Sequence, residues 1–163
     1  MDLLHELTLS MIKYYQGDPK RIQHFIKVHS FAHLIGTAEK LDDETLFILE
    51  TAALTHDIGI KPAELKFNSC GGKLQEQEGP MPAKIMLADL GFAPNVIERV
   101  CYLIAHHHTY DKIDGKDYQI LVEADFLVNL YEDSLPEKSV QTALERIFRT
   151  ETGKCLCKTV FDI

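Results

Sequence analysis

The chain has 163 residues, of which 45% are hydrophobic, and a formal net charge of −8. This composition suits one domain with a full apolar core and no need of disulfide bonds. The negative charge makes a nucleic-acid polymer an unexpected partner, because binding to a phosphate backbone needs a cationic face. It does not exclude a small anionic substrate, since a bound cation reverses the local charge.

Neither the cysteines nor the hydropathy points to secretion or to a membrane. The four cysteines match no disulfide framework and no zinc-site spacing, and we expect them to be free thiols in a reducing cytosol. The N-terminal segment reads MDLLHELTLS, which is acidic and unlike a signal peptide. No apolar run approaches the ~20 residues that a membrane-spanning helix needs. We therefore expect a cytoplasmic protein with no membrane association.

Apolar residues recur at three- and four-residue intervals along nearly the whole chain, which is typical of amphipathic helices. Helix starts are marked by an aspartate cap, in some cases followed by proline in the first turn, and helix ends are marked by glycine. In chain order, the predicted helices span residues 2–15, about 19–41, about 43–57, about 82–90, about 94–106, 117–132 and 136–149. No strand-like alternation and no internal repeat is present, so the fold class is all-α.

Three segments lie outside the predicted helices. Residues 58–80 contain four glycines and two prolines, and we predict a long, partly irregular loop with room for one short helix. A loop of this length in a compact domain is more often functional than not. The second segment, about 109–117, is polar and contains an Asp-Gly turn signal. The third, 154–163, is too short and mixed to assign.

Ionisable residues with metal-ligand chemistry occur where the helical pattern turns side chains inward. His24 shares the apolar stripe of the second helix, His56 and Asp57 end the third in the sequence LTHDIGI, and Asp125 lies in VEADFLVN. Three histidines, 106–108, end the helix that starts near Pro94. Each of these residues alone fits a hydrogen-bonded structural role. Together, imidazoles and carboxylates converging from four helices satisfy a divalent cation better than they satisfy one another.

This ordered set resembles the HD-domain superfamily of metal-dependent phosphohydrolases. The resemblance rests on H-x-x-x-V-x-x-x-A at 24–32, the apolar-HDIG sequence at 54–60, and the alanine-aspartate pair within LVEADFLVN, and it covers roughly residues 20–132. It implies a compact helical bundle of about five core helices plus peripheral helices. Here that would be a single domain over 1–163, with helices 2–15 and 136–149 packed on the core.

The resemblance also implies a metal site. The ligands that it implies for a first ion are His24, His56, Asp57 and Asp125. Asp57 would bridge to a second ion, for which the candidate ligands are Glu78, His107 and His108. Glu78 stands where the family commonly has histidine, and a role as helix cap or pocket residue fits it equally. The implied cofactor is one or two divalent ions of Mn, Mg, Co, Ni, Zn or Fe.

Several assignments stay open at this level. His29 lies one turn after His24 and rivals it as the first ligand, and the sequence does not fix which of the residues 106–108 points inward. Lys61 stands one place later than the lysine that often follows the family motif, so it either reaches a phosphate or points to solvent. Gly59 is expected to turn the chain sharply out of the site. The candidate catalytic residues are Asp57, His107 and Lys61.

The activity implied by the resemblance is hydrolysis of a phosphate ester of a small molecule, a nucleotide or a related phosphate, by a metal-activated water. Two alternatives are a di-iron oxygenase on the same scaffold and a metal-stabilised, non-catalytic signalling or binding domain. Residues 61–82 and 109–117 are expected to contact the small phosphorylated substrate. A homodimer remains an open option.

Overall fold

The computed structural model describes residues 2–163, which form helices and no strand. None of these helices combines the length and the apolarity needed to cross a membrane. In chain order the helices are α1 (Leu3–Tyr14), α2 (Pro19–Ala38), α3 (Asp43–Thr55), α4 (Ile60–Phe67), α5 (Gly72–Glu78), α6 (Pro80–Asp89), α7 (Pro94–His106), α8 (Lys116–Glu132), α9 (Glu137–Arg146) and α10 (Glu151–Phe161). The prediction of an all-α fold is confirmed.

Side-chain caps fix the starts of α2 and α3, two of the helices that carry the candidate ligands. Asp18 accepts a hydrogen bond from the backbone N–H of Arg21 and Pro19 occupies the first position of α2, as the sequence indicated. Asp42, rather than Asp43, caps α3 by accepting from the N–H of Thr45. Caps of this kind satisfy backbone donors that have no partner inside the helix.

Three helices form the centre of the bundle: α2 packs against both α3 and α8, and α3 contacts α8 directly. The second half of α3 is buried without interruption from Ile48 to Thr55. One hydrophobic cluster runs from Leu7 of α1 to Cys157 of α10. The C-terminal end of α3, where His56 and Asp57 follow, is therefore held inside the bundle on all sides.

The prediction of a long irregular loop at 58–80 is wrong, because these residues form α4 and α5. Their sequences, IKPAELKF and GKLQEQE, consist mostly of good helix formers. The glycines fall at the helix ends, and Pro62 lies in the first turn of α4, where its missing N–H costs nothing. Pro80, not Pro82, is the first residue of α6. Helices of seven or eight residues are too short to show a clear apolar period.

The C-terminal residues also form a helix that the sequence did not reveal. Thr150 caps α10, and its hydroxyl donates to Glu123, a fully buried residue of α8. The same carboxylate accepts from the backbone N–H groups of Arg149 and Thr150. Gly153 passes so close that a Cβ there would overlap the Glu123 carboxylate. A buried carboxylate in α8 thus anchors the start of α10.

Gly59 is needed for close packing and not for a turn. The chain does turn at residues 56–59, between α3 and α4, but the φ of −75° at Gly59 is open to any residue, so the turn itself does not require glycine. A Cβ at this position would lie 2.5 Å from the carbonyl oxygen of Gln75 and 2.7 Å from the nitrogen of Gly79. Gly79 in turn lies against Ile104 of α7. Two glycines therefore let the segment after Asp57 pack directly on the junction of α5 and α6.

We predict that Gly59→Ala lowers the free energy of unfolding by about 1–3 kcal/mol, because the atoms that the new methyl group meets are backbone atoms that cannot rotate away. Urea denaturation of the purified protein measures the change. Gly71→Ala is the matched control, since no atom lies within 4 Å of the added Cβ there. Equal stability of the two variants would contradict the close-packing role.

Candidate metal centre

Two histidines are aimed inward by the same backbone arrangement at the ends of α3 and α7. The Nδ1 of His56 lies 2.8 Å from the carbonyl oxygen of Ala53, and the Nδ1 of His107 lies 2.7 Å from that of Ile104. A carbonyl accepts only, so each Nδ1 is a donor and each Nε2 is the nitrogen left for a partner other than the helix backbone. Both side chains are buried. Each helix end therefore presents one ring nitrogen to the interior.

Asp57 lies between the histidines. Its Oδ2 is 3.2 Å from His24 Nε2, and its Oδ1 is 3.4 Å from His56 Nε2 and 3.6 Å from His107 Nε2. Ligand atoms that share an ion at 2.0–2.2 Å lie roughly 3–3.5 Å apart, so these distances suit coordination. One carboxylate is therefore close to three imidazoles that come from three different parts of the chain.

His24 and Asp125 complete the group from α2 and α8. The Nε2 of His24 lies 3.1 Å from Asp125 Oδ1 and 3.2 Å from His56 Nε2. On the other side of the ring, Nδ1 lies 2.5 Å from Glu132 Oε1, whose second oxygen accepts from Lys27 at 2.8 Å. The Glu132 carboxylate thus fixes the tautomer of His24, as carboxylates commonly do for metal-binding histidines.

The donor set fits a divalent ion. His107 Nε2 is buried and has no hydrogen-bond partner within residues 2–163, and an orphaned buried nitrogen of this kind calls for a partner. Two overlapping sets of side chains could hold a metal ion. The first is His24, His56 and Asp57, and the second is Asp57, His107 and His108. Asp57 is common to both. Imidazole nitrogens with carboxylate oxygens suit the borderline divalent ions such as Mn²⁺, Fe²⁺, Co²⁺ and Zn²⁺.

The charges of the cluster also favour a cation. Burial alone would raise the pKa of Asp57, but the charge of His56 and the other imidazoles around the carboxylate hold its pKa well below the usual value. Burial alone would lower the pKa of His56, but the charge of Asp57 and hydrogen bonding to Asp125 raise it well above its usual value. The carboxylates are therefore ionised at neutral pH, and positive charge is favourable beside them.

Helix α1 supports the cluster from outside. The hydroxyl of Tyr15 donates to the backbone carbonyl of Asp57 at 2.6 Å, and that of Tyr14 donates to the carbonyl of Ile58 at 3.1 Å. These carbonyls follow the end of α3, and that of Asp57 also accepts from the backbone N–H of Ile60 at 3.1 Å, so Tyr15 supplies its second bond. Two tyrosines thus fix the backbone at the aspartate that both donor sets share.

A cavity of about 340 Å³ opens beside the cluster. Its inner end is formed by His24, Asp57, His108 and Asp125, and its outer wall comes from α2, α5 and the last turns of α8. The volume is at the lower end of the range for small-molecule pockets. A molecule of modest size in this cavity would contact the ligand-type side chains directly.

The three consecutive histidines have three different environments. The Nδ1 of His106 donates to the carbonyl of Tyr102, and the ring stacks on that of Tyr102, outside the cavity lining. His107 is buried in the cluster. His108 lies at the cavity wall with Nε2 2.8 Å from Gln75 Oε1. Burial, followed by the charge of His107, lowers the pKa of His108 to about 4, so this ring is neutral at pH 7 and suits a ligand better than a proton donor.

The structure does not bring Glu78 to the cluster. Its carboxylate lies 2.9 Å from Lys66 Nζ, so it pairs α5 with α4. The residue of α5 that does reach the histidine segment is Glu76, which is buried and accepts from the N–H of His108 at 3.1 Å and from the hydroxyl of Thr109 at 2.9 Å. Glu76 faces the backbone there and positions His108 without entering either donor set.

Lys61 and His29 are also placed away from the cluster. Lys61 Nζ donates to the carbonyl of Tyr14 at 2.9 Å and lies over the ring of that tyrosine, because Lys61 is on the outer face of α4 and not in a loop. His29 Nε2 and His33 Nδ1 each lie 3.0 Å from Glu50 Oε1. Between the two histidines considered for the first ligand, the structure places His24 at the cluster.

Several residues of the site were not singled out from the sequence. Glu132 holds His24, and Asn129 donates to Asp125 Oδ1 at 3.0 Å. Gln75 lies beside His108, and Tyr15 bonds the Asp57 carbonyl. For two of them a signal existed: Asn129 and Glu132 follow Asp125 by four and seven residues, which puts all three on one face of α8. The contacts of Gln75 and Tyr15 depend on packing between separate helices.

Fold and site together define an all-α domain with a buried histidine-aspartate centre that could bind a divalent metal. The family model for the HD domain matches residues 21–148 of the chain. The chain therefore belongs to the HD-domain family. The match extends beyond the roughly 20–132 indicated by the motifs and includes α9. No curated protein and no solved structure gives a significant match.

We predict that a divalent ion stabilises the folded protein, because the unfolded chain lacks the assembled donor set. With Mn²⁺ at about 100 times its Kd, the added stability should be about 2.7 kcal/mol, and the thermal midpoint should fall again on treatment with EDTA. His56→Ala should lose this metal-dependent shift, whereas His5→Ala, an exposed substitution, should keep it. Identical shifts in the two variants would contradict the assignment of the centre.

We further predict that Tyr15→Phe costs about 0.5–1.5 kcal/mol of stability, the usual net value of one hydrogen bond, because the Asp57 carbonyl keeps its bond from the backbone N–H of Ile60. The variant should also bind Mn²⁺ less tightly, since the backbone at Asp57 is less firmly held. Urea denaturation and metal titration measure the two effects. Tyr131→Phe is the control, because Tyr131 is 71% exposed, and it should change neither quantity.

Proposed function

We infer that this protein is a metal-dependent phosphohydrolase that cleaves a phosphate ester of a small molecule. The observation that carries the proposal is the shared carboxylate of Asp57, which joins two donor sets at the inner end of an open cavity. Membership of the HD-domain family, whose members are generally metal-dependent hydrolases, supports the same reaction class. A metal held here would activate water and offset the charge of the phosphoryl oxygens.

The side chains of this protein would position the ester and the ion. His24 and His56 direct their Nε2 atoms to one donor set and His107 directs its Nε2 to the other, and the partners of their Nδ1 atoms keep the rings from rotating. Asp57 and Asp125, both held ionised, confine positive charge to the inner end of the cavity. Because the donors are fixed before a substrate enters, little reorganisation accompanies the reaction.

We predict that Asp57→Asn lowers kcat/KM for phosphate esters by at least about 100-fold, since it removes the charge that both donor sets share. The assay measures inorganic phosphate released from p-nitrophenyl phosphate and a panel of small esters, with Mn²⁺, Mg²⁺, Co²⁺ or Fe²⁺ supplied. Asp89→Asn, an exposed site at the end of α6, is the matched control and should retain activity. Circular dichroism checks that both variants stay helical.

Two results would contradict the proposal. Two irons per chain after anaerobic purification, with consumption of O₂ and no release of phosphate, would indicate an oxygenase. Binding of metal without turnover of any ester under the four metal conditions would indicate a non-catalytic domain. Metal content per chain, measured on the protein as purified, distinguishes these results from hydrolysis.

A further inference from the structure

The cavity beside the metal centre has an unusual lining for a small-molecule pocket. Among residues 2–163, Ile60 is the one apolar residue that lines it, and no phenylalanine or tyrosine contributes to the wall. Ligand pockets are ordinarily lined mostly by hydrophobic and aromatic side chains. Nucleobases in particular are held by stacking on aromatic rings, which contributes about 1–3 kcal/mol per base. The wall offers no such surface.

The tyrosines that contact lining residues are committed to other partners. Tyr15 is buried with its hydroxyl on the Asp57 carbonyl. Tyr110, whose hydroxyl lies 3.4 Å from His108 Nδ1, packs its ring edge-on against Phe126 at a centroid distance of 5.2 Å. Neither ring faces the cavity as a platform for a planar base.

Instead, the wall of α8 carries hydrogen-bond acceptors at regular intervals. Asp125, Asn129 and Asp133 are spaced by four residues and all line the cavity, so they follow one another at about 6 Å per step along the helix. Asn129 Nδ2 donates to Asp125 Oδ1, which leaves Asn129 Oδ1 directed away from the carboxylate. Within residues 2–163, neither Asn129 Oδ1 nor the Asp133 carboxylate accepts a hydrogen bond.

Hydrogen-bond acceptors that have no donor within the protein are suited to the hydroxyl groups of a ligand. The outer wall also contains Asp18 and Glu132, whose carboxylates accept from Arg21 and from Lys27 and His24. Among the cations, Arg21 is paired with Glu64 at 2.5 Å, and exposed Lys20 remains near the opening. The outer wall carries three carboxylates, Asp18, Glu132 and Asp133, against the two cations Lys20 and Arg21. It therefore disfavours a second phosphate group but not a neutral hydroxylated body.

We propose that the substrate is the monophosphate of a polyhydroxylated molecule, a sugar or polyol phosphate, with its phosphate at the metal centre and its hydroxyls on Asn129 and Asp133. This inference rests on the proposed phosphohydrolase function and narrows its substrate class. The proposed substrate class differs from the nucleotide that the family resemblance suggested. A site built to bind hydroxyls discriminates strongly against analogues that lack them, because the polar groups of the site then lose their partners.

The test compares kcat/KM of the full-length, Mn²⁺-loaded protein for four kinds of ester: sugar monophosphates of ribose and glucose, adenosine monophosphate, butyl phosphate, and p-nitrophenyl phosphate. We expect at least one sugar monophosphate to exceed both adenosine monophosphate and butyl phosphate by about tenfold or more. Asp133→Ala should lower kcat/KM for that sugar ester by about tenfold, the loss of one hydrogen bond to a charged group. Asp89→Ala, a matched exposed aspartate at a helix end, should leave it unchanged.

The outcomes separate this inference from the function on which it rests. Hydrolysis of p-nitrophenyl phosphate together with equal or better turnover of adenosine monophosphate or butyl phosphate would overturn the substrate class alone. Equal kcat/KM of the Asp133→Ala and Asp89→Ala variants for the sugar ester would also overturn the proposed substrate class. Absence of phosphate release from every ester, p-nitrophenyl phosphate included, would contradict the phosphohydrolase function and this inference with it.

Discussion

The metal centre depends on the direction in which buried imidazole rings must point at the ends of helices. The last carbonyls of a helix have no partner inside the helix, and a buried imidazole N–H cannot stay unpaired without cost. At both His56 and His107 one hydrogen bond to the carbonyl three residues earlier satisfies the two groups together. Its consequence is that each Nε2 can point only into the bundle. The site is thus preorganised by backbone geometry before any ion enters.

Asp57 is held in place from separate directions, which is why one residue can serve two donor sets. The buried half of α3 fixes the chain before it, and the tyrosines of α1 bond the carbonyls of Asp57 and Ile58. After it, the contact between Gly59 and Gly79 sets α4 against the junction of α5 and α6. Elements that contribute no ligand therefore determine where the ligands lie. A change in packing at the glycines is expected to act on the metal centre through the backbone alone.

The sequence predicts the helices well where they are long and amphipathic, and poorly where they are short. The apolar register of α2 indicates His24 over His29, because Val28 and Ala32 are buried on the same face. For α7 the sequence left residues 106–108 undecided, and the structure shows why His107 is the inward one: Leu103 and Ile104 are buried, and His107 follows them by four and three residues. In contrast, α5 has seven residues and no readable face, so nothing in the sequence distinguishes Glu76 from Glu78.

Side-chain partners between distant helices could not be predicted from one sequence. Lys61 is a candidate for binding phosphate only if residues 58–80 form a loop. Because α4 begins at Ile60, the Lys61 side chain instead lies on the outer face of that helix, beside Tyr14. The contact between His24 and Glu132 joins residues 108 positions apart. Composition and spacing indicate which residues are suited to bind a metal. Helix packing decides which of them meet.

Helix α8 links the chemistry at one end of the cavity to recognition along its wall. His24 differs from the other two histidines because its Nδ1 bonds to the carboxylate of Glu132, a residue that also lines the cavity and holds Lys27. Asp125 and Glu132 are seven residues apart on one face, so the helical rise of about 1.5 Å per residue sets their separation at about 10 Å. A molecule with its phosphate at Asp125 therefore lies along a wall whose polar groups are spaced by the helix itself. The distance between the reacting group and the groups that recognise the rest of the substrate is then fixed by secondary structure and does not depend on a mobile loop.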